Sequence, residues 1–312
     1  MPVTLLRDPS QAGDLLLTDL EYGALLRDPS WREGHLGREQ RRVEGVLAQG
    51  GLGLLWQAKR DVEGAPSALA LLRFLPWDTA HFGFACADLV RFYASEDLGA
   101  EEREGVLVAV VEEARRRQVK LLSARLRADQ LAALQTLQRL GNFLLVDTSV
   151  ELGGVRPLPG TLAVGLELRD PRPADVEELE EVAAGFTQNR FHRDPGIPRR
   201  LAREVYLSWV REAAAGRRGS LLVAEREGSV AGFATFHATD DALGVDVVGL
   251  LAVHPRRRGS GVLAALVGGC ADRLGGRAVV SSTQVTNAAA LRGFGRAGLR
   301  PFGARHVLHG WL

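Results

Sequence analysis

A chain of 312 residues is long for one hydrophobic core and predicts two compact units. Its 46% hydrophobic and 25% charged residues exclude a disordered polymer, and 38 acidic against 39 basic side chains exclude the one-signed field that gathers nucleic acid or an anionic membrane. A small-molecule ligand is the expectation. The two cysteines, Cys86 and Cys270, lie in separate halves and supply neither a disulfide framework nor a four-ligand zinc site, so no metal is expected and the expected compartment is reducing cytoplasm. No run approaches the ~18 apolar residues of a membrane span, and no N-terminal segment reads as a secretion signal.

In chain order, periodicity predicts helical segments over 14–48 interrupted near Asp28-Pro29, then strands at 52–58, 67–74 and 86–93. A helix follows over 101–118, a strand over 119–125, a helix over 129–140 and a strand over 143–152. The Gly/Pro-rich stretch 154–160 breaks every period and reads as a linker between a domain at 1–153 and another at 161–312. The second domain predicts a strand at 161–168, a helix at 175–185, a polar stretch at 187–199 and a helix at 199–214. Strands at 220–226, 230–238 and 244–253 form a meander, and helix 262–274, strand 277–285, helix 287–297 and strand 304–311 complete the chain. The order helix, strand, helix, strand occurs in both halves, which predicts two similar mixed α/β domains in tandem.

Chemistry concentrates after the strand 244–253, where Arg256-Arg257-Arg258-Gly259-Ser260-Gly261 opens into the helix starting at Val262. A helix N-terminus presents free backbone N–H groups beside the positive end of its dipole, which suits a pyrophosphate. Val262, Leu266, Cys270 and Leu274 recur every fourth residue, so one face of this helix is predicted to be buried and to fix its start against the loop. The corresponding helix of the first half is entered through Ser95-Glu96-Asp97, whose acids repel phosphate, so that half reads as scaffold or substrate wall.

The segment Arg258-Gly259-Ser260-Gly261-Val262-Leu263, followed by Asn287-Ala288-Ala289-Ala290-Leu291-Arg292-Gly293-Phe294 and Gly298-Leu299, resembles the two linked motifs of the GNAT superfamily of acyl-CoA-dependent N-acetyltransferases. Four further segments are similar to the bacterial TDP-fucosamine acetyltransferase group: Leu75–Gly83, Asn189–Asp194, Thr283–Asn287 and His309-Gly310-Trp311. The resemblance implies tandem GNAT-like domains, each a mixed and mostly antiparallel sheet flanked by helices, the first degenerate and the second binding acetyl-CoA. It implies a pyrophosphate loop at Arg258, Gly259, Ser260, Gly261, Val262 and Leu263, and pantetheine pairing with the main chain of Leu251, Ala252 and Val253 where the strand splays from its neighbour. Asn287 and Phe294 complete the implied cofactor set.

For catalysis the resemblance implies a thiolate acid where this chain has Phe294, which has no proton to give, and a carboxylate where it has Gly249. Tyr206, on a helix that covers the cleft in relatives, is the substitute acid or a structural tyrosine; Asp246 is the candidate base, needing a bulge or a water chain to act; His237 is a relay or a hairpin surface residue. Arg190, His192 and Arg193 form either a receiver for phosphate and sugar hydroxyl or a solvated basic loop. Thr283 and Gln284 either orient a polar acceptor or complete the turn before the cap at Thr286/Asn287. Trp77-Asp78 either closes the acceptor pocket or is core. Cys270, mid-helix on the apolar face, reads as inert, which favours direct attack by the amine over an acyl-enzyme. The expected activity is acetyl transfer from acetyl-CoA to a primary amine of a small molecule such as an amino sugar nucleotide, in a chain compatible with a homodimer. The rival is an acyl-CoA sensor without turnover.

Overall fold

The computed structural model describes residues 3–18, 31–56, 66–95, 97–156, 158, 165–238 and 243–312. The predicted break at Asp28-Pro29 and the strand positions 57–58 and 161–164 lie outside the described residues. The chain divides into two units, Met1–Thr148 with Ala304–Leu312, and Ser149–Gly303.

The elements of the first half are β1 (Val3–Leu5), α1 (Trp31–Ala48), β2 (Leu52–Trp56), β3 (Ala68–Phe74), α2 (Pro76–Phe82), β4 (Cys86–Ala94), α3 (Ala100–Arg116), β5 (Leu121–Arg127), α4 (Leu131–Arg139) and β6 (Phe143–Val155). Then come β7 (Glu167–Arg169), α5 (Val176–Ala183), α6 (Arg190–Arg193), α7 (Arg199–Ala214), β8 (Ser220–Arg226), β9 (Ser229–His237), β10 (Val245–Val253), α8 (Val262–Arg273), β11 (Ala278–Gln284), α9 (Ala288–Arg296) and β12 (Arg300–Trp311).

In unit 1 the strand order is β1-β2-β3-β4-β5-β12, antiparallel except for the parallel pair β4/β5. β3 reads Ala-Leu-Ala-Leu-Leu because both of its faces are covered, and Ala68 through Leu72 have no exposure. α3 lays Val106, Val110, Val111 and Ala114 on one face of the sheet, while α1 and the 3-10 segment Pro9–Thr18 cover the other through Val43, Ala12, Leu15 and Leu16. Glu101 and Glu102 at the start of α3 and Arg115 and Arg116 at its end match the helix dipole. The sequence reading missed α2, a helix of 7 residues, although Pro76 in its first turn and left-handed Gly83 (φ 79°) after its last are its punctuation.

In unit 2 the order is β6-β11-β10-β9-β8-β7, with β10/β11 the one parallel pair in that list. α8 buries Val262, Leu266, Cys270 and Leu274 against Leu222, Ala234, Val248 and Val279, the face that the four-residue spacing predicts. α5 and α7 cover the opposite face through Leu179, Val182, Val210 and Ala213 against Leu221, Val223 and Phe233. Arg169 ties β7 down by bonding Asp175 at 2.7 and 2.8 Å and Glu225 at 2.5 Å. Each unit is thus a mixed α/β layer structure with a mostly antiparallel sheet flanked by helices.

The ends of the two repeats differ from the sequence reading. β6, which follows α4 in the first repeat, continues through Gly153 and Gly154 to Val155 and pairs with β11 from Ala278↔Val155 to Gln284↔Ser149. Gly154 lies too close to the Gly298 carbonyl and Leu158 for any side chain, so a residue pair that looks like a linker is strand. β12, which follows α9 in the second repeat, pairs with β5 from Arg305↔Arg127 to Trp311↔Leu121. The strand 304–311 therefore completes unit 1 and not the domain 161–312 in which periodicity places it.

Candidate active site

The site in unit 2 begins where a ladder stops. β10 and β11 pair in parallel only at Val245↔Ala278, Asp246↔Val279 and Val247↔Val280, although both strands continue for several residues. On its other edge β10 stays paired with β9, with a register shift between Val248↔Phe236 and Leu251↔Ala234. Across that bulge Gly249 and Leu250 oppose the single residue Thr235. Thr235 of β9 fills it: its Oγ1 accepts the Leu250 N–H at 2.8 Å and lies 2.7 Å from where a Cβ on Gly249 would stand. A glycine is needed here because the hydroxyl occupies the side-chain space.

Main-chain direction follows from the hydrogen bonds. The His254 N–H donates to the Ala231 carbonyl on β9 at 2.9 Å, and the Ala252 carbonyl points at Gly232 of the same strand. Polar groups alternate sides along a strand, so those of Leu251 and Val253 face the β11 side, beyond the last ladder pair. A central strand with half-exposed residues from Leu250 to Val253 is the geometry of an open slot. An extended chain entering it would pair with Leu251 and Val253 by strand addition.

The slot leads to the loop. His254 Nδ1 accepts the Arg256 N–H at 3.2 Å, Arg257 pairs with Glu227 at 2.7 Å, and Ser260 Oγ donates to the Arg257 carbonyl at 2.6 Å. Gly259 (φ 81°) and Gly261 (φ 85°) are left-handed, a conformation that costs an L side chain about 1–2 kcal/mol. Gly261 carries no side chain to cap α8, so the first-turn N–H groups of Val262, Leu263 and Ala264 remain available to an anion. Arg258 is exposed beside Gly185 and pairs with no carboxylate among the described residues.

Two sequence segments assigned to the acceptor come together. Arg193 Nη2 donates to Thr286 Oγ1 at 3.0 Å, joining α6 to the β11–α9 turn. Within that turn Thr283 Oγ1 accepts from Asn287 Nδ2 at 3.2 Å, the Gln284 carbonyl accepts the Asn287 N–H at 2.9 Å, and Asn287 Oδ1 caps the Ala290 N–H at 3.2 Å. Thr283 thus performs the turn-completing task, and Gln284 contributes its carbonyl to the same turn. Arg190 lies over the Phe191 ring, 4.5 Å from its centroid. The other two segments meet in unit 1, where Phe84, next to the 75–83 stretch, makes an edge contact with Trp311 at 5.4 Å. Trp77 is 36% exposed and stacked on His81, not core.

Tyr206 of α7 stacks on Phe186 at 5.0 Å, and Phe186 makes an edge contact with Phe233 at 6.4 Å. Phe233 is the register partner of Ala252. An aromatic row therefore runs from the slot strand to Tyr206. Neither Phe186 nor Thr235 is legible as a site residue, because each gains its role from a partner on another element.

Asp246 requires correction. It is 1% exposed, and its Oδ2 accepts from Arg156 at 3.0 Å and from the Gly276 N–H at 2.7 Å. It is the middle one of the three paired residues at the closed end of β10, three residues before Gly249 of the bulge, and serves as a strut. His237, opposite Val247, sits at the same closed end. Phe294 is a packing residue, 3% exposed among Leu152, Ala264, Val267, Ala297 and Leu299, in a cluster against which Leu251 of the slot strand also packs. Burial pushes the Cys270 thiol up to about 12, which leaves no thiolate for covalent chemistry at neutral pH.

Slot, bulge and uncapped helix lie in one continuous stretch of unit 2, from Val248 to Ala264. Residues 180–299 match the Acetyltransferase (GNAT) family. The chain is 27% identical over 191 residues to the spore coat polysaccharide biosynthesis protein SpsD of Bacillus subtilis (strain 168). That match takes in 60% of this chain and 65% of SpsD, so the chain spans less than two thirds of this relative's length. Among solved structures it is similar to a GCN5-related N-acetyltransferase from Sphaerobacter thermophilus (TM-score 0.63, 17% identity, 99% of this chain and 94% of that one). It is also similar to a tandem GNAT protein from the clavulanic acid biosynthesis pathway (TM-score 0.59, 15% identity, 99% and 98%). These likenesses show a shared fold.

Proposed function

We propose that unit 2 binds acetyl-CoA and transfers its acetyl group to a primary amine of a small molecule, with an amino sugar nucleotide as the acceptor class. The observation that carries this is the slot between β10 and β11, which runs from the bulge at Gly249 along Leu251 and Val253 to the uncapped start of α8. In this reading the N–H groups of residues 259–263 and the guanidinium of Arg258 hold the diphosphate, and the pantetheine pairs with Leu251 and Val253. The thioester carbonyl then lies at the bulge, where a main-chain N–H polarises it. The neutral amine attacks directly, the C–N bond forming as the C–S bond breaks; the nitrogen sheds its proton to solvent water, and the departing thiolate takes one from Tyr206, the candidate acid on the aromatic row, which solvent then reprotonates. Arg190 and His192 receive the acceptor, beside the turn held by Thr283 and Gln284. The match to a protein named for polysaccharide biosynthesis supports a sugar acceptor.

Phe294, buried where relatives carry a tyrosine, favours one rival reading: an acyl-CoA sensor that has lost turnover. Free-thiol release from acetyl-CoA, measured across a panel of amines including 4-amino sugar nucleotides, separates the two. Release with at least one amine supports the transferase, whereas saturable binding with no release on any amine supports the sensor. Arg258→Ala should weaken acetyl-CoA binding about tenfold, the effect of one charge-assisted hydrogen bond. Unchanged affinity would remove the loop assignment.

A further inference from the structure

Asn189 is 3% exposed and all of its amide valences are used. Its Oδ1 accepts from the N–H groups of Phe191 at 3.0 Å and His192 at 3.2 Å. Its Nδ2 therefore points the other way, donating to the Phe186 carbonyl at 2.7 Å and meeting His192 Nδ1 at 2.7 Å. Turning the amide over would set an NH2 group against two N–H donors and an oxygen against the Phe186 carbonyl, losing three of these four bonds and keeping only a contact to His192 Nδ1. With the amide so fixed, His192 Nδ1 receives a hydrogen and cannot carry one. A neutral imidazole holds one proton, so it resides on Nε2.

We propose that Asn189 is a positioning residue that locks His192 as the Nε2–H tautomer, so that His192 can only give a hydrogen bond, and that the acceptor substrate presents an oxygen lone pair to it: a phosphate, hydroxyl or carbonyl. The inference rests on the transferase reading for the identity of the ligand as acceptor, and on geometry alone for the tautomer. The surroundings agree with a neutral ring. Arg199 of α7 donates to the His192 carbonyl at 2.7 Å, and Arg190 and Arg193 flank the residue on α6. No carboxylate pairs with the ring among the described residues. Burial first, and the Arg199 charge second, hold the imidazole below its ordinary pKa. With the Nε2 lone pair engaged in an N–H bond, His192 cannot take a proton from the attacking amine. Its site discriminates instead, holding an oxygen and rejecting an ammonium group, which would meet the N–H with its own hydrogens.

Nitrogen-15 correlation spectra of the full chain, at a pH above the imidazole titration, read the tautomer directly. The expected result is a proton on Nε2 of His192 and a bare Nδ1. A proton on Nδ1, or an equal mixture, overturns the proposal. Asn189→Asp keeps Oδ1 as the cap but sets an oxygen against Nδ1. It should move the proton to Nδ1 and raise the KM for the amine acceptor about tenfold, with the KM for acetyl-CoA unchanged. A purely capping role would leave both the tautomer and that KM where they were. Should Asn189→Asp fail to fold, His192→Gln, which retains an N–H donor in reach, should bind acceptor about tenfold better than His192→Phe, and equal KM values would overturn the donor role. Absence of turnover on every amine counts against the transferase reading, while the nitrogen shifts still decide the tautomer.

Discussion

Replacement of Asp246 by alanine distinguishes a strut from a base. The carboxylate is 1% exposed and receives two hydrogen bonds, from Arg156 at 3.0 Å and from the Gly276 N–H at 2.7 Å. Breaking a buried ion pair costs about 3–5 kcal/mol when the remaining charge is stranded. The Arg156 side chain is 22% exposed and can be rehydrated, which puts the cost near the lower end, about 3 kcal/mol. For a unit the size of Ser149–Gly303, about 3 kcal/mol corresponds to a fall in Tm of about 6–12 °C. Scanning calorimetry and urea unfolding should show that loss, while kcat per folded molecule, measured well below the new transition, stays within about twofold of wild type. A variant as stable as wild type but without turnover would refute the assignment and return Asp246 to the chemistry.

Deleting residues 304–312 should remove the neighbour of β5, uncover the core made by Val307 and Leu308, and cost unit 1 about 3–6 kcal/mol of burial. Size-exclusion chromatography should then show association through the bare β5 edge, and a monomer of wild-type stability would contradict the topology. Asp175, held below the usual carboxylate range by Arg169, adds stability that is complete above its unfolded pKa of about 3.9 and is lost as pH falls through its lower folded value. Asp175→Asn should therefore lower stability at pH 7 and flatten its decline below about pH 4, and an unchanged acid limb in urea titrations would refute the pairing. Phe294→Tyr should destabilise unit 2 by about 1–3 kcal/mol, because its hydroxyl enters a cluster of Leu152, Val267 and Leu299, and should not raise the acetyl-transfer rate. A rate gain would show that the ring reaches the slot.

How much was legible depended on whether a residue's partners are near in sequence. The buried face of α8 was, because Val262, Leu266, Cys270 and Leu274 repeat at helical spacing, and the loop was, because Gly259 and Gly261 punctuate it before an apolar helix. The turn built by Thr283, Gln284 and Asn287 was readable as one of two alternatives, since all of its bonds are local. The task of Asp246 was not, since Arg156 lies 90 positions away and alternation along a strand says which face a side chain takes but not what waits there. The bulge was half visible: Gly249 marks a break, whereas Thr235, which fills it, looks like any strand threonine. The exchange of β6 and β12 left no local trace, because hydrophobic alternation identifies a strand without naming its neighbour.

That exchange has a consequence for biosynthesis. When Thr148 leaves the ribosome, the first unit has every helix it will own but still lacks one ribbon of its sheet, and it receives that ribbon only after Ser149–Gly303 has also been made. Such distant pairing slows folding and lengthens the interval in which β5 stands open, so the nascent protein depends on vectorial delay being shorter than the time needed to find a wrong mate.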